Sequence, residues 1–137
     1  MAVAALGFID ATYLTVEHYR GAVLTCTITG DCQSVVTSAY SAIVGVPVAL
    51  LGSIYYAAMI VLLVAYLDRR SEKVLNAATW FSIVGFVASI YFVSLQAFVL
   101  DAWCQYCLVS AATSTLLFLI GMGYHFSRKR HVVELHL

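Results

Sequence analysis

Charged residues are so sparse along this chain that they act as punctuation between long apolar runs. Residues 74–100 form one run without a charged residue, and residues 102–126 form another. A helix crosses the hydrocarbon layer with about 20 apolar residues, so each run is long enough for one span. Residues 32–67 are also uncharged but too long for a single crossing, and Gly45 and Pro47 interrupt them. Proline suits the first turn of a helix, where its missing N–H costs no bond, which predicts a span over about 46–67. Residues 2–16 are apolar apart from Asp10 and the hydroxyl groups of Thr12, Tyr13 and Thr15, and the pattern runs on as a helix through Glu17, His18 and Tyr19. A secretory signal would open on basic residues; this segment has none before Arg20 and carries an acid in its middle, so it reads as a retained helix.

The pattern predicts an all-α integral membrane protein. It is a four-transmembrane-helix bundle, a single membrane domain over 1–137, with spans at about 2–19, 46–67, 75–100 and 103–126 and a loop at about 20–45. Within that loop, Val35, Val36, Ala39, Tyr40 and Ile43 fall on one arc of a helical wheel, while Ser34, Thr37 and Ser41 fall on the other. Ser38 sits at their border. This is the pattern of a short interfacial helix over 34–43. Gly85/Ser89 and Ser110/Ser114 have the spacing of small residues that lets membrane helices approach closely.

Composition agrees with the pattern: 63% of residues are hydrophobic and 10% charged, against roughly 45–50% and about 25% in an ordinary soluble domain. With 7 Lys and Arg against 7 Asp and Glu, there is no basic excess to neutralise phosphates, which argues against nucleic acid as a partner. Six of the basic residues, Arg69, Arg70, Lys73, Arg128, Lys129 and Arg130, flank the expected spans on one side. Basic residues are retained in the cytoplasm, so both termini are expected there, as in a prokaryotic cell membrane, with the long loop and the turn at 100–103 outside. Cys26, Cys32, Cys104 and Cys107 then all lie at the extracytoplasmic side, where disulfides persist. Asp10 shares a helical stripe with Tyr13, Leu14 and Glu17 and is expected to face the bundle interior, as a proton route or as an acid that fixes packing.

Cys104-Gln-Tyr-Cys107 opens the fourth span, where the helix dipole favours a thiolate. Cys104 is the outer sulfur, nearer water, and Cys107 lies roughly 4–5 Å deeper. A structural disulfide or half a zinc site would use the same motif. Cys26 and Cys32 enclose a short loop with Gly30 for its turn, and a crosslink across so short a loop gains little chain entropy. Two disulfide-capable pairs on one membrane face suggest a relay in which a thiolate of one attacks the disulfide of the other. A four-cysteine zinc site is the competing arrangement, with only Asp31 and Asp101 nearby as outer carboxylates. Tyr106 is an interface-anchoring aromatic or a wall of the site.

Two loop cysteines, a hydroxyl residue six positions after the second (Ser38), and a CxxC opening the fourth helix resemble the vitamin K epoxide reductase family over about 6–123. The segment 10–15 with His18, and Gly45-Val46-Pro47, resemble its prokaryotic members. The resemblance implies that Cys26 and Cys32 shuttle electrons from an extracytoplasmic thioredoxin-like protein, itself carrying CxxC and acting in trans. Cys104 would be the exchange cysteine, Cys107 the cysteine against a bound quinone, and Ser38 a helper near the site. The quinone would be of the ubiquinone, menaquinone or vitamin K type. Vertebrate members line the vitamin K pocket with an Asn and a Tyr at positions matched here by Val48 and Ala111. The expected activity is that of a membrane thiol:quinone oxidoreductase that makes disulfides. A vitamin K epoxide reductase, or a non-catalytic tetraspan protein with structural disulfides, are the alternatives.

Overall fold

The computed structural model describes residues 1–21, Cys26 and 32–136. The expected Gly30 turn and Asp31 lie outside these residues. Four long helices carry the fold: α1 (Ala2–Arg20), α3 (Val48–Arg69), α4 (Glu72–Ser94) and α5 (Gln105–His136), with a five-residue α2 (Cys32–Val36) ahead of α3. The long helices close a ring, α1 against α3, α3 against α4, α4 against α5 and α5 against α1. Among the described residues, α3, α4 with its extension to Leu100, and α5 are long and apolar enough to cross a membrane. α1 carries Asp10, Glu17 and Arg20 in 19 residues and falls outside that set. The chain is an all-α membrane protein.

Its packing is that of a protein solvated by lipid. Ser53, Thr79, Ser82, Thr113 and Ser114 are buried between helices, while Trp80 is 71% and Phe98 87% exposed. Between lipid-facing helices there is no hydrophobic gain to bring them together, so small and hydroxyl residues hold the contacts. Tyr56 shows how: its hydroxyl donates to the Ser110 carbonyl at 2.6 Å and lies 2.8 Å from Thr113 Oγ1, tying α3 to α5. A Cβ at Gly7 would overlap the Tyr56 ring, so glycine there lets α1 sit against the same side chain. At one end of the bundle Arg128 pairs with Glu72 at 2.9 Å and donates to Tyr66 Oη at 2.8 Å, joining α3, α4 and α5. The cysteines lie at the other end. α5 is longer than expected, running to His136; at about 1.5 Å per residue its basic final turns extend past an apolar layer.

The interfacial helix expected over 34–43 is not continuous. α2 stops at Val36, a 3₁₀ turn covers Ala39–Ser41, and a small hairpin follows: β1 (Ala42–Ile43) pairs antiparallel with β2 (Val46–Pro47). Hydroxyl side chains share the backbone acceptors at this point with the N–H groups of their own residues. Thr37 Oγ1 donates to the Gln33 carbonyl, Ser38 Oγ to that of Val35 and Ser41 Oγ to that of Ser38, at 2.7–2.8 Å. Such local bonds compete with helix propagation, and Ser38 is extended. Val44 and Gly45 turn the hairpin with φ 52° and 80°, the left-handed pair that suits a two-residue turn. Pro47 then stands immediately before α3.

Candidate redox site

The site is assembled where the α2 segment lies over the start of α5. Cys26 and Cys32 form a disulfide with Cα atoms 5.8 Å apart. Cys32 opens α2 and is fully buried, whereas Cys26 is partly exposed. Cys104 is the last residue before α5, its carbonyl accepting the Leu108 N–H at 3.0 Å, and it too is fully buried. The sulfurs of Cys26, Cys32 and Cys104 lie within 4.8 Å of one another. Exchange requires a pair of them to close to a bond of about 2.05 Å. Leu14, Val35 and Ala102 pack around this cluster, with Tyr106 and Cys107 at its edge.

Gln96 holds Cys104 in place. After Ser94 the fourth element widens into a π-helical turn over Leu95–Leu100, a geometry frequent at functional sites. Inside it Gln96 is buried, and its Oε1 accepts the Cys104 N–H at 3.0 Å. The Gln96 carbonyl accepts the N–H groups of Asp101 and, at 3.2 Å, Ala102. One residue therefore closes the turn and caps the helix that carries the CxxC. A lone amide in an otherwise apolar run, eight positions before Cys104, was the available sequence signal for it.

Charge at the site favours Cys104. The Cys107 thiol donates a hydrogen bond to the Cys104 sulfur and holds the Cys104 thiol down to about 7, against the opposing effect of burial. The expectation that Cys104 lies nearer water is corrected here: the α2 segment seals it, and of the described sulfurs in the triad Cys26 is the open one. The triad also has the donors to hold a soft metal ion when all three are reduced thiolates. With Cys26 and Cys32 bonded to each other, it is instead arranged for thiol–disulfide exchange.

Cys107 leads away from the triad into a predominantly apolar cavity of about 440 Å³. Val48, Ala111 and Ser38 line it beside Cys107, as do Gln96 and Tyr55. Tyr106 does not: it turns the other way and packs against Tyr13, with ring centroids 5.4 Å apart. Ser38 reaches the cavity, but its hydroxyl is committed to the Val35 carbonyl. Asp10 is half-buried with Oδ2 unpartnered among the described residues, and it lies outside the cavity lining. A flat, apolar ring fits these walls, and the buried hydroxyl groups of Tyr55 and Ser114, which lie against each other with no further partner among the described residues, leave one donor for the few polar contacts that such ligands need.

The sequence pattern of the vitamin K epoxide reductase family matches residues 1–122. The chain belongs to that family. Its members are oxidoreductases that use quinones or vitamin K as electron partners, membership makes this chain a membrane redox enzyme, and its cysteines lie near one another. No curated protein matches the sequence significantly.

Proposed function

We propose that this member of the vitamin K epoxide reductase family is a membrane thiol:quinone oxidoreductase that generates disulfides in a thioredoxin-like partner acting in trans. The observation that carries the reading is the set of three sulfurs within 4.8 Å, followed by Cys107 on the cavity wall. The partner's dithiol attacks at Cys26, the open end of the loop disulfide, and leaves as a disulfide while Cys26 and Cys32 are reduced. Cys32, buried beside Cys104, then attacks the Cys104–Cys107 disulfide at Cys104 and frees the Cys107 thiol. Cys26 resolves the Cys32–Cys104 bond, which regenerates the loop disulfide and leaves Cys104 and Cys107 as a dithiol. A quinone in the cavity supplies the terminal two-electron, two-proton acceptor, and the CxxC closes again.

In this reading α1 also crosses the membrane, the termini are cytoplasmic and the cysteines extracytoplasmic, as in prokaryotic-type members. Ser38 supports the site by holding the end of α2 over Cys104. Val48 and Ala111 give the quinone ring an apolar wall. The test is to incubate reduced, purified protein with ubiquinone, menaquinone and vitamin K quinone and follow quinone absorbance. Stoichiometric consumption by the wild type, abolished in Cys107→Ala, is expected. Consumption of vitamin K epoxide would favour the epoxide reductase, and no consumption of either would favour a tetraspan protein with structural disulfides.

A further inference from the structure

A quinone carbonyl buried in an apolar cavity needs a hydrogen-bond donor, and most polar groups on the wall are already committed. Ser38, Ser41 and Ser89 donate to the carbonyls of Val35, Ser38 and Gly85. The Tyr56 hydroxyl is bound to the Ser110 carbonyl. Tyr55 Oη and Ser114 Oγ are different. Both are closed to solvent, both belong to residues lining the cavity, and they lie against each other with no further hydrogen-bond partner among the described residues; a bond between two hydroxyls uses one of their two protons, so one donor is left over. Ser114 is 3% exposed. A buried hydroxyl proton left without an acceptor is costly, and one found in a cavity wall calls for a ligand.

The two groups converge from different helices. A Cβ at Gly85 on α4 would overlap Tyr55 Oη from α3 and stand 2.7 Å from Ser114 Oγ of α5. Glycine at 85 thus keeps open the small space into which both hydroxyls point. Ser114 is seven residues after Cys107, two turns along the same face of α5 and about 10 Å away along the axis. That interval suits a six-membered ring with a carbonyl at each end, one edge against the Cys107 sulfur and the far oxygen at the hydroxyls.

We propose that Tyr55 and Ser114, meeting over Gly85, are the polar anchor for the distal carbonyl of a 1,4-quinone. The anchor rests on the thiol:quinone reading and adds to it the residues that orient the ring. When the Cys104–Cys107 dithiol gives up two electrons and two protons and closes to a disulfide, the quinone becomes the hydroquinone. A donor fixed at the far oxygen stabilises the negative charge that builds there.

The test uses the full chain in lipid nanodiscs with menadione as probe. With the CxxC held oxidised, so that nothing turns over, menadione affinity is read from tryptophan quenching, and the carbonyl stretch of bound menadione from infrared difference spectra. Tyr55→Phe and Ser114→Ala are each expected to weaken binding about 3–10-fold. The carbonyl stretch, lowered by the wild type, should return to its value in lipid alone in the double variant. Tyr55→Phe keeps the ring stacked on Phe81 at 4.9 Å between centroids, and Gly85→Ala provides a second, independent block of the same space. Formation of a Cys32–Cys104 bond in a Cys107→Ser background should stay intact in each. Wild-type affinity and stretch in the double variant would overturn the anchor while leaving the quinone reading standing. Failure of the wild type both to bind and to reduce menadione would overturn both. Loss of thiol exchange together with binding would mark a folding role and also overturn the anchor.

Discussion

Cys104 faces two partners at once: the loop disulfide on one side and Cys107 on the other. The hydrogen bond from Cys107 lowers its pKa to about 7, so the sulfur is charged and nucleophilic above that pH and is reprotonated as the pH falls through it. Exchange between the CxxC dithiol and the loop disulfide is therefore expected to slow below about pH 7. Thiolate absorbance of the Cys107→Ala protein should titrate higher, toward the ordinary thiol value of about 8.5, because the donor is gone. In Cys107→Ser the Cys104 thiolate is expected to attack the loop disulfide at Cys32 and release Cys26, so that a Cys32–Cys104 disulfide is held in equilibrium with the loop disulfide and is seen by non-reducing peptide mapping after acid quenching. A Cys26–Cys104 bond in its place would reverse the roles of the loop cysteines. The four cysteines and the spacing of Ser38 could be read directly from the sequence. The protonation order could not, because it depends on which thiol lies above the other in space.

At the scale of elements, the π-helical turn around Gln96 determines where the CxxC begins. Gln96→Leu leaves the Cys104 N–H without its acceptor in a buried place. It is expected to lower stability by about 1–3 kcal/mol, measured by unfolding in detergent, and to slow thiol exchange more than it weakens menadione binding. Gln96→Glu, which keeps an acceptor at the same reach, should restore part of the exchange rate. The charge-free runs 46–67, 74–100 and 102–126 predict α3, α4 with its extension and the start of α5 to within a few residues, since a bilayer-length apolar helix has little else to become, but not the ten further residues of α5 to His136. The hairpin after Ser38 was not legible in that way. A helical wheel records which face a residue would take, but not that Thr37, Ser38 and Ser41 bond locally to the backbone and end the helix.

For the whole molecule, the placement of the cysteines and the basic residues at opposite ends of the bundle makes orientation testable. In intact cells, an impermeant maleimide applied after reduction should label Cys26 in a variant that keeps no other cysteine. It should not label Arg70→Cys in a cysteine-free chain, and the reverse pattern would invert the topology. The cavity with Tyr55 and Ser114 lay beyond sequence reading, because it exists only where α3, α4 and α5 converge over Gly85. The small-residue spacing of Gly85/Ser89 and Ser110/Ser114 pointed to close helix approach at this level, but not to what the approach encloses.

The separation between Cys104 and Cys107 has an energetic consequence for any cell that uses this protein. In the thiol-exchange step of the proposed route, electrons descend only three residues of helix, about 4–5 Å, into a layer about 30 Å thick. A full crossing is worth about 2.3 kcal/mol per charge at 100 mV, so this step senses about one-seventh of that, roughly 0.3 kcal/mol per charge. Thiol exchange would be nearly blind to membrane voltage: in proteoliposomes clamped at different potassium diffusion potentials, a single turnover of dithiol oxidation by the disulfide form, without added quinone, should run at an unchanged rate, which leaves any voltage dependence of full turnover to the quinone step.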